Sequence, residues 1–508
     1  MTLKAYNQLD KTDGQSVALF LKQDNFSFPS STAKEEFVET LLNDLSNHNW
    51  SDPAVKATIL TTLKNLGREP DGSDPLFTKK GISILVDCAG LENKLDMESS
   101  REALKCISNC IYLNDKVKPF LEDFDIIGSC QNLLKTRGDQ LSLDTQFLTC
   151  RILFFMTVNR EDLVTRLIDL DVAQSIEKVL HFNVSALEKS GLGQSDSPIN
   201  SVTVTGEALK LLFNLMLVES RKGDSDVANK LEACLVPIFH ILFGVPAPEP
   251  LPLSPPHSHA IHALMQFPYE ITSRVWREQK EWIKTMYDSV EEGHKLITSV
   301  FIDFLDRSLR HLIPDGDPDN CPGAQVDAIL SPLLLVIRNI AAGEDVFKVN
   351  FANRMLPTKE DRKNPVHQGS SLSAYLIRLM TCTMMPQTRD AVCETLFVLC
   401  DENASTFTQQ VGYGNAVGYL VNKGIAMEPQ SEDGENINPI TGQYVADEQE
   451  PRLEDMTDEE KEREAEKLFV LFERLKKTGI IDVENPIVKA MQEGKLQEIS
   501  DNENSDSD

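Results

Sequence analysis

Long uninterrupted apolar runs are scarce in this 508-residue sequence. No run approaches the ~18 residues that a bilayer span requires, so membrane insertion is not expected. Residues 1–24 are polar and mixed in charge, without an apolar signal core, which points to the cytosol. Basic residues are also in short supply. Fifty Lys and Arg face 79 Asp and Glu, a formal net charge of −29. Over most of its surface such a chain repels phosphate backbones, which disfavours nucleic acid and favours a protein partner. None of the ten cysteines forms a C-x-x-C pair, and most sit inside apolar helical stretches such as Leu104 to Ile107 and Phe397 to Cys400. They read as buried free thiols in a reducing compartment.

Motifs for covalent chemistry are missing too. There is no Walker A loop, no G-x-G-x-x-G after a strand and no G-x-S-x-G elbow. Gly412-Tyr413-Gly414-Asn415-Ala416 lacks the lysine and the strand of a phosphate loop and reads as a tight loop between terminal helices. The one histidine cluster is His257, His259 and His262. The last two have i, i+3 helical spacing, but no Cys, Asp or Glu stands beside them, so structural histidines are favoured over a metal site. No cofactor and no metal are expected.

What is present is helical periodicity, from about Lys34 to Lys423. Glu102-Ala103-Leu104-Lys105-Cys106-Ile107-Ser108-Asn109 recurs as Glu207-Ala208-Leu209-Lys210-Leu211-Leu212-Phe213-Asn214, with looser copies at Thr58 to Asn65 and Pro332 to Asn339. Each copy puts apolar residues at i, i+3 and i+4, with an amide at the end. Asn65 and Asn109 are 44 residues apart, inside the ~40–47 residue armadillo/HEAT period. Helix pairs at that period share one continuous core, so the fold class is all-α: an armadillo/HEAT-like solenoid. An Asn on such a helix can contact a bound peptide or brace its own repeat.

Three stretches interrupt the array: Ser185 to Ser201, the proline-rich Val245 to Pro256, and Ile313 to Gly323. The second could be a polyproline II ligand, but a stiff connector is the simpler reading. Past Gly424 the composition turns acidic, with Arg452 the only Lys or Arg from Glu428 to Glu460. The expected organisation is a solenoid over 1–425, an acidic flexible linker over 426–456, a separate amphipathic helix over 457–478 and a mostly disordered acidic tail over 479–508. Thr457 and Glu460 make a capping box for that helix, and Ala465, Leu468, Leu471, Phe472 and Leu475 form its apolar stripe.

Four ordered stretches, Thr395 to Cys400, Gly412 to Ala416, Ile437 to Gly442 and Met456 to Glu462, resemble the C-terminal half of synembryn, and the helices Glu102 to Asn109 and Glu207 to Asn214 resemble matching helices of that family. The resemblance implies a guanine-nucleotide exchange factor and folding chaperone for heterotrimeric G-protein α subunits (Gα). Such a protein acts by binding: it takes the Gα C-terminal helix in a trough of the solenoid and holds the nucleotide-free state. On this resemblance the trough residues are Lys64, Arg68, Asn109, Phe147, Arg151 and Asn214, the basic ones meeting the terminal carboxylate of Gα. Leu468, Leu471, Phe472 and Leu475 of the C-terminal helix would brace the bound GTPase domain. Candidate phosphosites of casein-kinase type are Ser431, followed by Glu432 and Asp433, and Ser500 and Ser505, with acids at +3. The resemblance further implies a monomer in the cytoplasm, drawn to the plasma membrane through Gα. The alternative is a non-catalytic armadillo adaptor or scaffold for another protein's peptide segment.

Overall fold

The computed structural model describes residues 2–447, apart from 24–25, 49, 51, 193–196, 223–225, 279–282, 426–436 and 439. The linker serine Ser431, the amphipathic helix with Leu468, Leu471, Phe472 and Leu475, and Ser500 and Ser505 lie outside the described residues. Within them there are 23 α-helices and eight short 3-10 helices, and the only β pairing is an isolated bridge between Ile437 and Tyr444. The fold is therefore an all-α helical solenoid. The chain divides into two compact units, Met1–Phe351 with Met384–Ala391, and Ala352–Thr383 with Val392–Asp508.

The first unit is built from two ladders of helices. One ladder has six rungs: α1 (Pro53–Leu66), α2 (Glu98–Leu113), α3 (Leu143–Thr157), α4 (Ser201–Lys222), α5 (His257–Leu264) and α6 (Gly323–Gly343), each packed on the next. The second ladder runs through helices Lys79–Ala89, Ile126–Arg137, Val172–Ser190, Leu235–Phe243 and Val290–Leu312. Between them lies a continuous core of fully buried residues, among them Leu60, Ile107, Ile152, Leu209 and Leu334.

Local sequence fixes where the rungs start. Asp52 accepts from the Ala54 N–H at 2.9 Å with Pro53 at the first helical position of α1. Ser142 caps α3 through the Thr145 N–H at 3.3 Å. Ahead of α4, Asn200 accepts from the Thr203 N–H at 3.1 Å, and the Thr203 hydroxyl oxygen accepts from the Asn200 N–H at 2.9 Å.

The described structure departs from the sequence reading in four places. Helices Thr2–Asn7 and Gly14–Leu21 precede the expected start at Lys34, because Tyr6, Phe20, Phe26, Phe28 and Phe37 form one aromatic cluster over the first end of the core. The stretch Ser185–Ser190, expected to be loop, completes helix Val172–Ser190, since Leu187 is buried in the core and the chain turns only at Gly191, with φ +69°. Tyr413 to Ala416, expected to be a tight loop, are the first turn of helix Tyr413–Asn422. Gly412 alone makes the corner at φ +81°, where a β-carbon would stand 2.7 Å from the Ile440 carbonyl oxygen.

The fourth departure concerns apolar length. Ser201–Val218 and Gly323–Gly343 are each long and apolar enough, by length and composition, to cross a membrane. In the fold they belong to α4 and α6, and 61% of each is buried against neighbouring helices. A rung with partners on several sides needs apolar residues on several faces.

All ten cysteines are free, eight of them buried, with Cys88 and Cys321 half-buried. Burial pushes up the thiols of Cys106, Cys130 and Cys234, and those of Cys110, Cys150 and Cys400 to about 12. The proline-rich connector is pinned by buried Val245, Pro252, Leu253 and Pro256.

In the second unit, Phe397, Phe407 and Tyr419 meet edge to face with centroids 5.4 to 5.9 Å apart. Buried Arg362 donates to the carbonyls of Gln409 (3.0 Å) and Gly442 (2.8 Å) and to the Gln410 side chain (2.6 Å), while its own carbonyl accepts from the Tyr444 N–H at 2.9 Å. One guanidinium thus ties the segment around Gly442 to the helical body of this unit.

Candidate binding groove

Helical spacing decides what faces the space beside α1, α2 and α3. The end of α1 supplies Lys64 and, past Gly67, Arg68. One face of α2 supplies Lys105, Asn109 and Tyr112. One face of α3 supplies Asp144, Phe147, Leu148 and Arg151, at i, i+3, i+4 and i+7. Together they line a cavity of about 640 Å³, and Ser197, Pro198 and Ile199, from the loop before α4, complete the wall. Five of the six trough residues inferred from the sequence therefore share one cavity. The sixth, Asn214, is buried inside the stack and donates to the Thr157 hydroxyl at 2.8 Å, joining α4 to α3. Of the two roles open to such an amide, it takes the bracing one.

The cations of the groove are not equivalent. Lys64 Nζ lies 2.6 Å from Glu102 Oε2, and Lys105 lies 2.8 Å from Glu102 Oε1 and 3.2 Å from Asp144. One repeat motif later, Arg151 lies 2.8 Å from Glu207 and Lys210 lies 3.0 Å from the same carboxylate oxygen. The Arg151 guanidinium also stacks over the Phe147 ring, 4.3 Å from its centroid. Burial would raise the Glu102 and Glu207 carboxyls, but hydrogen bonds from these cations outweigh it and hold both below the usual glutamate range. Arg68 differs: it is exposed, and its guanidinium has no partner among the described residues. The same holds for the half-buried Asn109 amide. Among the described residues the groove thus offers one unpaired cation, one unpaired amide and an aromatic face.

Two parts of the wall escaped the sequence reading. Tyr112 is 76% exposed, its ring 5.9 Å from that of Phe155. It also lines a neighbouring cavity of about 490 Å³ with Phe154, Phe155, Val158 and Pro119, so the apolar surface continues past the cationic groove. Its position, three residues beyond Asn109 on an amphipathic helix, was the available signal. The contribution of Ser197 to Ile199 carried none, because a loop's landing place is set by the helices around it.

The three histidines do not converge. His257 bonds the Val245 carbonyl at 3.2 Å, His262 the Ser258 carbonyl at 2.7 Å, and His259 stands against Gly206 of α4. Among the described residues no group of three or more His, Cys, Asp or Glu side chains is placed to hold a metal ion.

Residues 59–495 match the family described as guanine nucleotide exchange factor synembryn. The chain is 26% identical over 572 aligned residues to Chaperone Ric-8A of Danio rerio, covering 100% of this chain and 99% of that protein. It is 25% identical over 470 residues to Chaperone Ric-8A of Gallus gallus, covering 84% and 83%. To a synembryn-like chaperone of Schizosaccharomyces pombe it is 24% identical over 490 residues, covering 90% and 86%. A solved engineered protein aligns over 83% of this chain and 91% of its own length at 17% identity, with a TM-score of 0.43. With a match that begins in α1 and runs through both folded units, the chain belongs to the guanine nucleotide exchange factor synembryn family.

Proposed function

We propose that the protein is an exchange factor and folding chaperone for Gα subunits, and that it receives the Gα C-terminal segment in the groove beside α1, α2 and α3. The observation that carries this reading is the unpaired Arg68 guanidinium on the wall of a cavity shared with the unpaired Asn109 amide and the Phe147 ring. A guanidinium without an internal partner can take a terminal carboxylate by two parallel hydrogen bonds. An amide beside it suits a peptide backbone, and an aromatic face suits an apolar side chain. The names of the relatives, chaperones among them, agree with this role.

No covalent chemistry is needed. Binding that is tighter to nucleotide-free Gα than to the GDP-bound form weakens GDP binding by that same factor, which favours GDP release. In this reading the protein works as a monomer in the cytoplasm and reaches the plasma membrane through Gα, and the segment over 457–478, expected from its sequence to be an amphipathic helix, braces the bound GTPase domain. An adaptor for basic peptides is disfavoured, because Lys64, Arg68, Lys105 and Arg151 outnumber Asp144 on the groove wall.

The test is GDP release from purified Gα, with isolation of a nucleotide-free complex. Substoichiometric protein should accelerate release, and a stable complex should form without added nucleotide. No acceleration together with no complex sinks the reading.

A further inference from the structure

The sequence contains three Ser-Pro steps, Ser197-Pro198, Ser254-Pro255 and Ser331-Pro332, and no Thr-Pro. Burial separates them. Ser331 is 6% exposed within α6, its hydroxyl donating to the Asp327 carbonyl at 2.8 Å. Ser254 is half-buried in the pinned connector. Ser197 and Pro198 are both exposed. The Ser197 hydroxyl donates to the Ile199 carbonyl at 2.9 Å, and the Asn200 amide donates to the Ser197 carbonyl at 3.3 Å, so the serine sits on a short turn just ahead of α4. That turn forms part of the wall of the cavity that holds Lys64, Arg68 and Arg151.

We propose that Ser197 is a phosphoacceptor for a proline-directed serine kinase, and that its phosphate pairs with Arg68 and closes the groove to a partner ending in a carboxylate. In the transfer, Ser197 Oγ forms a bond to the γ-phosphorus of a nucleoside triphosphate. The bond from that phosphorus to the β-phosphate oxygen breaks, the nucleoside diphosphate leaves, and the hydroxyl proton passes to the kinase's base. The new group carries about −1.5 to −2 charges and three acceptor oxygens. Among the groove cations, Lys64, Lys105 and Arg151 already hold carboxylates, which leaves the Arg68 guanidinium as the group able to take the phosphate without breaking an existing pair. The closure half of the proposal rests on the groove reading given above.

The experiment uses the full chain, incubated with ATP and a proline-directed kinase, and has three readouts. Mass spectrometry should find phosphate at Ser197, and none there in Ser197→Ala. By phosphorus NMR, the phosphoserine should titrate below its free second pKa of about 6, returning to it in Arg68→Ala. A fluorescent peptide with the Gα C-terminal sequence should bind the phosphorylated chain about tenfold or more weakly than the unmodified one. No phosphate at Ser197, or a titration midpoint identical with and without Arg68, overturns the proposal. Phosphate on Arg68 with unchanged peptide affinity overturns the closure. If the unmodified chain fails to bind the peptide, the groove reading falls, while the first two readouts still decide the modification site.

Discussion

Lys64 of α1 and Glu102 of α2 form a 2.6 Å ion pair, and Arg151 of α3 and Glu207 of α4 repeat it at 2.8 Å. In both cases the carboxylate belongs to a Glu-Ala-Leu-Lys sequence whose own lysine, Lys105 or Lys210, closes on it from three residues along. The conserved geometry within this one chain assigns the repeated motif a structural task. Each glutamate buckles its rung to the preceding one. Three of the groove's basic residues, Lys64, Lys105 and Arg151, are therefore mainly fasteners, and Arg68 is left to meet a ligand.

This division predicts opposite outcomes for neighbouring substitutions. Lys64→Glu puts a second carboxylate beside Glu102, a largely buried group, and should lower unfolding free energy by roughly 1–3 kcal/mol. Arg68→Glu changes an exposed, unpaired residue and should leave stability within about 0.5 kcal/mol while weakening Gα peptide binding tenfold or more. Urea denaturation and peptide titration of both variants check this. Equal stability losses would remove the distinction.

The two asparagines should also part. Asn214→Ala deletes the donor to Thr157 and should cost about 1–2 kcal/mol with peptide affinity preserved. Asn109→Ala should preserve stability and reduce affinity. An Asn214→Ala protein as stable as the parent would show that the α3–α4 brace is not limiting.

Acid acts on the stack through two kinds of group. Glu102 and Glu207 are held below their ordinary value of 4.5. Their stabilisation is complete above that value and is lost as pH falls through the lower folded value. Burial pushes His257 and His259 from 6.5 down to about 4. The unfolded chain takes up those protons first, so stability falls as pH drops from 6.5 towards 4. The urea midpoint should hold above about pH 7, decline below 6.5 and fall faster below 4.5. In a His257→Gln, His259→Gln double variant the upper part of the decline should shrink and the lower part persist. An upper branch of unchanged slope would count against these imidazoles.

In the second unit, Arg362→Met removes the guanidinium that joins the Gln409 and Gly442 carbonyls. Loss of these charge-assisted bonds should cost about 2–4 kcal/mol. Cleavage near Gly442 in limited proteolysis should then precede global unfolding. A cleavage pattern identical to that of the parent would mean the segment is held by other contacts.

Much of this was legible in residue order. The 44-residue spacing from Asn65 to Asn109 and the repeated Glu-Ala-Leu-Lys motif announce stacked helices, because apolar period and repeat length are properties of the chain itself. The resemblance to the family, not the periodicity, put Arg68, Asn109 and Phe147 in one trough, and the three line one cavity. Asn214 stands at the position of Asn109 in the repeated motif, but equal positions in a motif need not have equal neighbours, and Asn214 is buried. The rung before α4 ends in Thr157, which takes the amide inward. The apolar length of α4 and α6 went unnoticed in residue order, and its use, packing against several neighbouring helices, is seen only in the fold.

The sequence by itself determined the repeat and the capped starts of its rungs, since these depend on contacts within a few residues. Which cation is fastened and which is free, and which loop closes the groove, was decided only by the tertiary structure. Lys64, Arg68 and Arg151 are equally basic in the sequence, and only the carboxylates brought up by the next rung, 38 and 56 residues away, tell them apart.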